Sequence, residues 1–146
     1  MILLDVNVLV YAVRKDAERN ADYREWLDLA CAGSEPVAVA PESLGAVVRI
    51  VTHRKLWAEP ITREQAFTFI RLLRATPALS LVHPGDTHWE IFENLCRAAD
   101  ARGNLVTDAW LAALAIENHA TLITTDRDFA RFPGLKWKHP LQKKSS

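Results

Sequence analysis

Residues Met1–Lys15 read MILLDVNVLVYAVRK, and the order of residue types in this stretch decides the fold class. Ile2 to Leu4 is a short apolar run, the pattern of a strand buried on both faces. It stops at Asp5. Asn7 caps the helical stretch Val8–Ala12 that follows. A strand that feeds straight into a helix is the first half of a β–α–β unit, and the same alternation runs down the rest of the chain.

Working outward, Tyr23, Trp26, Leu27 and Ala30 stand at helical spacing over Asp22–Ala32, and Gly33 stops that helix. Val37–Ala40 is a second strand. Pro41 opens the next helix, with Glu42 in its first turn and Leu44, Val47, Val48 and Val51 on its apolar face. Thr62 to Gln65 is a capping box for a helix that runs to about Arg74. Leu79–Val82 reads as a short strand after Pro77. Thr87 to Glu90 reads as a second capping box, with a helix to about Ala101. Gly103 and Asn104 mark a break, and Thr107 or Asp108 starts a helix with Ala109, Ala112, Ala113 and Ile116 on one face. Thr121–Thr124 is a strand that leads to Asp126, and Leu135–Trp137 is a last edge strand. The pattern predicts an α/β fold with a central, mainly parallel sheet between helical layers, as one domain over residues 1–141. The end of the chain, HPLQKKSS, reads as weakly ordered, and residues 142–146 are set aside as a tail.

Composition narrows the function classes. The chain has 146 residues, 49% of them hydrophobic and 25% charged, with a formal net charge of zero. That is the profile of a globular domain. A zero balance gives no global attraction to nucleic acid, so any such binding uses a local basic patch. No apolar run approaches the roughly 20 residues of a membrane span. The N-terminus lacks the basic start of a signal peptide, so the chain is read as cytoplasmic. Cys31 and Cys96 sit inside helical patterns and read as buried free thiols. Too few Cys and His stand at ligand spacing for a zinc site. His83 and His88 read as surface residues.

The chemistry lies in acidic residues. Asp5, Glu42 and Asp126 each follow a strand, so parallel strands bring all three out on one edge, where sites form in open parallel sheets. Asp108 stands at a helix start, where the dipole favours a carboxylate. If that helix leads into the strand at Thr121, its N-terminus reaches the same edge. Each residue also has a plainer role. Asp108 caps a helix, Asp126 makes an Asx turn, and Glu42 complements a dipole. Asp5, at the end of a buried apolar run, needs a partner or a metal. Gathered together, the four repel one another unless a cation lies between them or some stay protonated. Hard divalent ions with oxygen ligands, Mg²⁺ or Mn²⁺, fit such a cluster, and they activate water against a phosphodiester. Asn7 would hold the Asp5 turn, and Thr124 and Thr125 would hydrogen-bond the Asp126 carboxylate or the backbone.

The segments LLDVNVLVYA (3–12), APES (40–43), NLVTDAWLAALA (104–115) and LITTDRDFARFPGL (122–135) resemble, in order, the motifs of PIN-domain ribonucleases. More closely they resemble the VapC toxins of VapBC toxin–antitoxin systems, and most of all the actinobacterial branch. The resemblance covers Ile2 to about Leu141. It implies a PIN-like α/β/α sandwich and Mg²⁺- or Mn²⁺-dependent endonucleolytic cleavage of RNA. It places the family's acidic quartet on Asp5, Glu42, Asp108 and Asp126, with Asp5, Asp108 and Asp126 as metal ligands and Glu42 acting through water or a second ion. Asp128 matches an extra acidic position. It also implies a homodimer and a VapB antitoxin partner, with DNA contacted only through that antitoxin. The implied substrate is structured RNA, tRNA ahead of a ribosomal RNA loop.

RNA approaching an acidic site needs cations around it. The dense run Arg49, His53, Arg54 and Lys55 is the leading candidate, with Arg14, Lys15, Arg19, Arg127 and Arg131 as further ones. Trp57 reads as a packing residue that also has the chemistry to stack on a base. Two other classes compete. A receiver-type phosphoacceptor would want a close acidic pair after the first strand, where Val6 and Asn7 stand. A catalytically silent PIN-fold binding module would keep the fold without the cleavage.

Overall fold

The computed structural model describes residues 1–142. The element order is β1 (Ile2–Leu4), α1 (Val6–Val13), α2 (Asn20–Ala32), β2 (Val37–Val39), α3 (Pro41–Val51), α4 (Arg63–Arg74), β3 (Leu79–Leu81), α5 (His88–Ala98), α6 (Asn104–Glu117), β4 (Thr121–Ile123), a 3-10 helix (Arg127–Arg131) and β5 (Trp137–Lys138). The strands form one sheet in the order β3-β2-β1-β4-β5, every neighbouring pair parallel. The α/β/α architecture expected from the alternation is the one observed.

The alternation of side chains across each strand builds the two cores. Ile2 and Leu4, Val37 and Val39, and Ile123 face the layer of α1 to α4. Leu3, Ala38 and Leu122 face the opposite layer, where they meet Ala109, Ala112, Ala113 and Leu114 of α6. Both faces being covered explains why the central strands β1 and β2 carry no polar residue on either side. The small alanines of α6 let that helix lie close to the sheet.

The strand order places the site. From β1 the chain moves outward through β2 to β3, then returns through α5 and α6 to β4 on the other side of β1. The direction of winding therefore reverses between β1 and β4, and a crevice opens beyond their carboxyl ends. Asp5 and Asp126 leave those two strands.

Several boundaries differ from the sequence reading, each for a local reason. Asp5, not Asn7, caps α1, because its carboxylate accepts the Val6 N–H at 2.7 Å. α6 begins at Asn104, a turn earlier than expected, because Gly103 adopts φ 56 as its N-cap, a backbone that only glycine takes easily. Asp108 thus lies inside the helix rather than at its dipole end. Thr87 makes no capping bond to its own helix. Its hydroxyl and N–H go instead to Glu117 at 2.9 and 3.0 Å. The box at Thr62 and Gln65 forms in full. The thiols of Cys31 and Cys96 are free and only half-buried. His88, read as a surface residue, is 1% exposed, with its Nε2 3.0 Å from the Trp110 carbonyl. Residues 143–146 of the expected weakly ordered tail lie outside the described residues. Among the described residues no helix is long and apolar enough to cross a membrane.

Replacing Thr62 by Ala removes the hydroxyl that accepts the Gln65 N–H and leaves the Thr62 N–H still donating to the Gln65 side chain. It is expected to cost about 1 kcal/mol, or roughly 2–4 °C in Tm for a chain of about this size. Thermal denaturation by circular dichroism checks this. An unchanged Tm would mean that α4 is held by packing alone.

Candidate active site

Asp5, Glu42, Asp108 and Asp126 line one cleft of about 550 Å³ beyond the carboxyl edge of the sheet. Four carboxylates distant in sequence thus meet in one place. Val10, Tyr11, Ile50, Trp57, Trp110 and Leu111 supply apolar walls.

Asp5 is the most constrained of the four. It is 9% exposed. One carboxylate oxygen accepts the Val6 N–H and the other accepts the Thr124 hydroxyl at 2.7 Å. The same Thr124 oxygen accepts the Asp126 N–H at 3.0 Å. A single buried hydroxyl therefore ties the end of β1 to the turn after β4 and orients two acidic residues together. Thr124, fully buried at the end of an apolar strand, performs this task. Thr125, also expected to support the site, gives only its N–H, to Asn7 Oδ1 at 3.4 Å. Asn7 thus bridges to the Asp126 turn and does not cap α1. Asp126 Oδ1 accepts the Asp128 N–H at 2.8 Å, the Asx turn anticipated for it, and caps the 3-10 helix. Asp128 is exposed and faces Arg131 at 4.0 Å.

The electrostatics record the crowding. Burial pushes the Asp5 carboxyl above its ordinary range, the Asp126 charge pushes the same way, and the Thr124 and Val6 bonds pull back. Asp108 is pushed up to about 6, first by burial and then by the charges of Asp126, Asp5 and Asp128. Among the described residues none of the four cleft carboxylates is ion-paired. No group of three Asp, Glu, His or Cys side chains among them is drawn into a ready ligand set. The donor type and the uncompensated charge fit a hard divalent cation.

Of the basic candidates, only Arg49 lines the cleft. Arg54 and Lys55 are exposed in the α3–α4 connection, and the half-buried His53 accepts the Lys55 N–H. Arg14 is not a surface cation at all. It is 2% exposed, paired with Asp16, and donates to the Glu59 carbonyl at 2.9 Å. Its guanidinium lies 4.1 Å from the Trp57 ring centroid.

The sheet order and the acidic edge define a PIN-domain protein, and the PIN domain family profile matches residues 2–135. Ribonuclease VapC43 of Mycobacterium tuberculosis is 43% identical over 141 residues, 97% of this chain and 96% of that protein. Ribonuclease VapC25 of the same organism is 36% identical over 140 residues, 96% of this chain and 99% of that protein. Among solved structures, VapBC2 from Rickettsia felis, bound to a DNA fragment from its promoter, superposes with a TM-score of 0.71 at 22% identity, covering 94% of this chain and 98% of that one. The chain belongs to the VapC ribonucleases of the PIN-domain family.

The raised Asp108 carboxyl makes stability depend on pH. Between the ordinary 3.8 and about 6, the folded chain keeps a proton that the unfolded chain has lost. The penalty for folding is therefore complete above about pH 6 and gone below about pH 4. In chelator, Asp108→Asn is expected to melt a few degrees above wild type at pH 7.5, with the gap closing toward pH 4. A gap independent of pH would place its origin outside Asp108.

Proposed function

We propose that the chain is a Mg²⁺- or Mn²⁺-dependent endoribonuclease and the toxin of a toxin–antitoxin pair, formed by one domain over residues 1–141. The observation that carries this reading is the meeting of Asp5, Asp108 and Asp126 in one cleft with no ion-pair partner among the described residues, with Asp108 pushed up to about 6. The names of its relatives as VapC ribonucleases point the same way.

A divalent ion bound here supplies Lewis-acid stabilisation of the phosphodiester and a more acidic water. Asp5, Asp108 and Asp126 are the residues that would hold it. Asp5 contributes a carboxylate already fixed in orientation by Val6 and Thr124, so little rotamer freedom is lost on binding. Glu42, exposed in the first turn of α3, is placed to position the attacking water or to take part in a second site. Arg49 offers a cation on the cleft wall for a flanking phosphate. Arg54, Lys55 and His53 extend that positive side outward. Asn7, Thr125 and Asp128 brace the turn that carries Asp126.

The partner is a VapB-type antitoxin, the arrangement named for the Rickettsia felis complex. Cleavage is silenced when a basic side chain of the antitoxin takes the place of the ion's charge among the carboxylates. The toxin acts as a homodimer in the cytoplasm and reaches DNA only through the antitoxin. Its substrate is structured RNA, tRNA ahead of a ribosomal RNA loop. A silent binding module would share the fold, and cleavage assays separate the two.

Purified chain incubated with tRNA is expected to cut it in Mg²⁺ and to stop in excess chelator. Asp5→Asn and Asp108→Asn should each lower the rate by more than about 10²-fold while the melting profile stays cooperative. Cleavage that persists in chelator or in both variants would sink the metal-dependent mechanism. On the Asp108→Asn background, Arg49→Ala is expected to weaken RNA binding and to reduce its salt slope by about one. An unchanged slope would remove Arg49 from the phosphate path.

A further inference from the structure

Beside the acidic cleft lies a second hollow of about 600 Å³, and Tyr11 and Trp57 line both. These two rings form a ridge between the carboxylates and the adjoining space. A substrate strand whose phosphate sits at Asp5, Asp108 and Asp126 and that runs toward the second hollow meets this ridge.

The ridge is built to stay still. The Trp57 indole N–H is already committed to the Ile50 carbonyl at 2.8 Å. One face of its ring is backed by the Arg14 guanidinium. That guanidinium is itself fixed by Asp16 and by the Glu59 carbonyl, in a site where Arg14 is 2% exposed. Tyr11 is backed in turn by Tyr23, with ring centroids 5.1 Å apart. Neither aromatic is fully buried. A large, flat surface held on one side and open to a cleft on the other loses almost no freedom when something stacks on it. The hollow beyond carries Asp16 and Glu18 as well as Arg19, so it is not a phosphate site. The chemistry of the ridge suits a neutral aromatic ring.

We propose that Tyr11 and Trp57 form a nucleobase-stacking subsite next to the scissile phosphate, so that the RNA cut is single-stranded at the cleavage point. This rests on the ribonuclease reading and narrows its substrate class. Bases inside a duplex keep their faces covered by neighbours, whereas a loop nucleotide turns its face out and stacks on protein aromatics. Packing and substrate recognition are then served by the same tryptophan. Arg14 is a positioning residue that acts through Trp57.

The test uses the full chain carrying Asp108→Asn, in Mg²⁺, with fluorescent single-stranded RNA and a blunt RNA duplex of the same length. Fluorescence anisotropy measures both affinities. Adding Trp57→Leu is expected to weaken single-stranded binding about 10- to 100-fold and to leave the duplex within about threefold. Adding Trp57→Phe keeps a stacking face but loses the indole N–H, and is expected to stay within about threefold of the parent. Equal loss with Phe and Leu would assign the effect to the hydrogen bond to Ile50 and overturn the subsite. Unchanged single-stranded binding in Trp57→Leu, in a variant that still melts cooperatively, would overturn it too. Cleavage by the Asp108-bearing chain, run in parallel, reports separately on the ribonuclease reading. Stacking that survives in a chain that does not cut would leave the subsite standing and remove the nuclease.

Discussion

The buried hydroxyl of Thr124 organises this site. It donates to the Asp5 carboxylate at 2.7 Å and accepts the Asp126 N–H at 3.0 Å. Two acidic segments that would otherwise repel are joined at the point where β1 and β4 run side by side. A buried carboxylate needs such partners, since an unpaired one costs several kcal/mol or gives up its charge. Asp5 spends one oxygen on the Val6 N–H and the other on Thr124. It stays oriented toward the cleft as a result.

The rest of the molecule follows from holding that arrangement in place. The all-parallel sheet sends every strand's carboxyl end to one edge, and the reversal at β1 and β4 opens the crevice. The two apolar layers fix the strands that carry the acids. Asp108 approaches from α6, the helix that leads into β4. It bears the cost of convergence, being half-buried among like charges. Stability is given up at this residue to crowd it among the other acids, a trade common at active sites. In the same cleft as the acids, the Tyr11 and Trp57 rings give a second chemical character.

The sheet and the convergence of the acids were legible because period and position carry them. Ile2–Leu4, Val37–Val39 and Thr121–Ile123 are short apolar runs, and a carboxylate or a helix start follows each. What stayed hidden depended on partners far away in sequence. Thr87 with Glu90 looks like a capping box, yet Glu117, 30 residues on, captures the Thr87 hydroxyl. Arg14 looks like a free cation, yet Glu59 and Trp57 bury it. His88 looks exposed, yet Trp110 and Phe92 enclose it. The early start of α6 turned on one glycine with positive φ, so Asp108 owes its raised affinity for a proton to burial and neighbours, not to a helix end. Thr124 left a signal in the sequence: a hydroxyl closing an apolar strand two residues before an aspartate.

The central claim is that these carboxylates converge as a cation site, and proton release on metal binding tests it most directly. Calorimetric titration with Mn²⁺ at pH 6, in buffers of different ionisation enthalpy, counts the protons displaced. With Asp108 at about 6, roughly half a proton should leave per ion bound at that pH, and almost none at pH 8. The release at pH 6 should vanish in Asp108→Asn. Mn²⁺ binding with no proton release at pH 6, or no Mn²⁺ binding at all, would contradict the account.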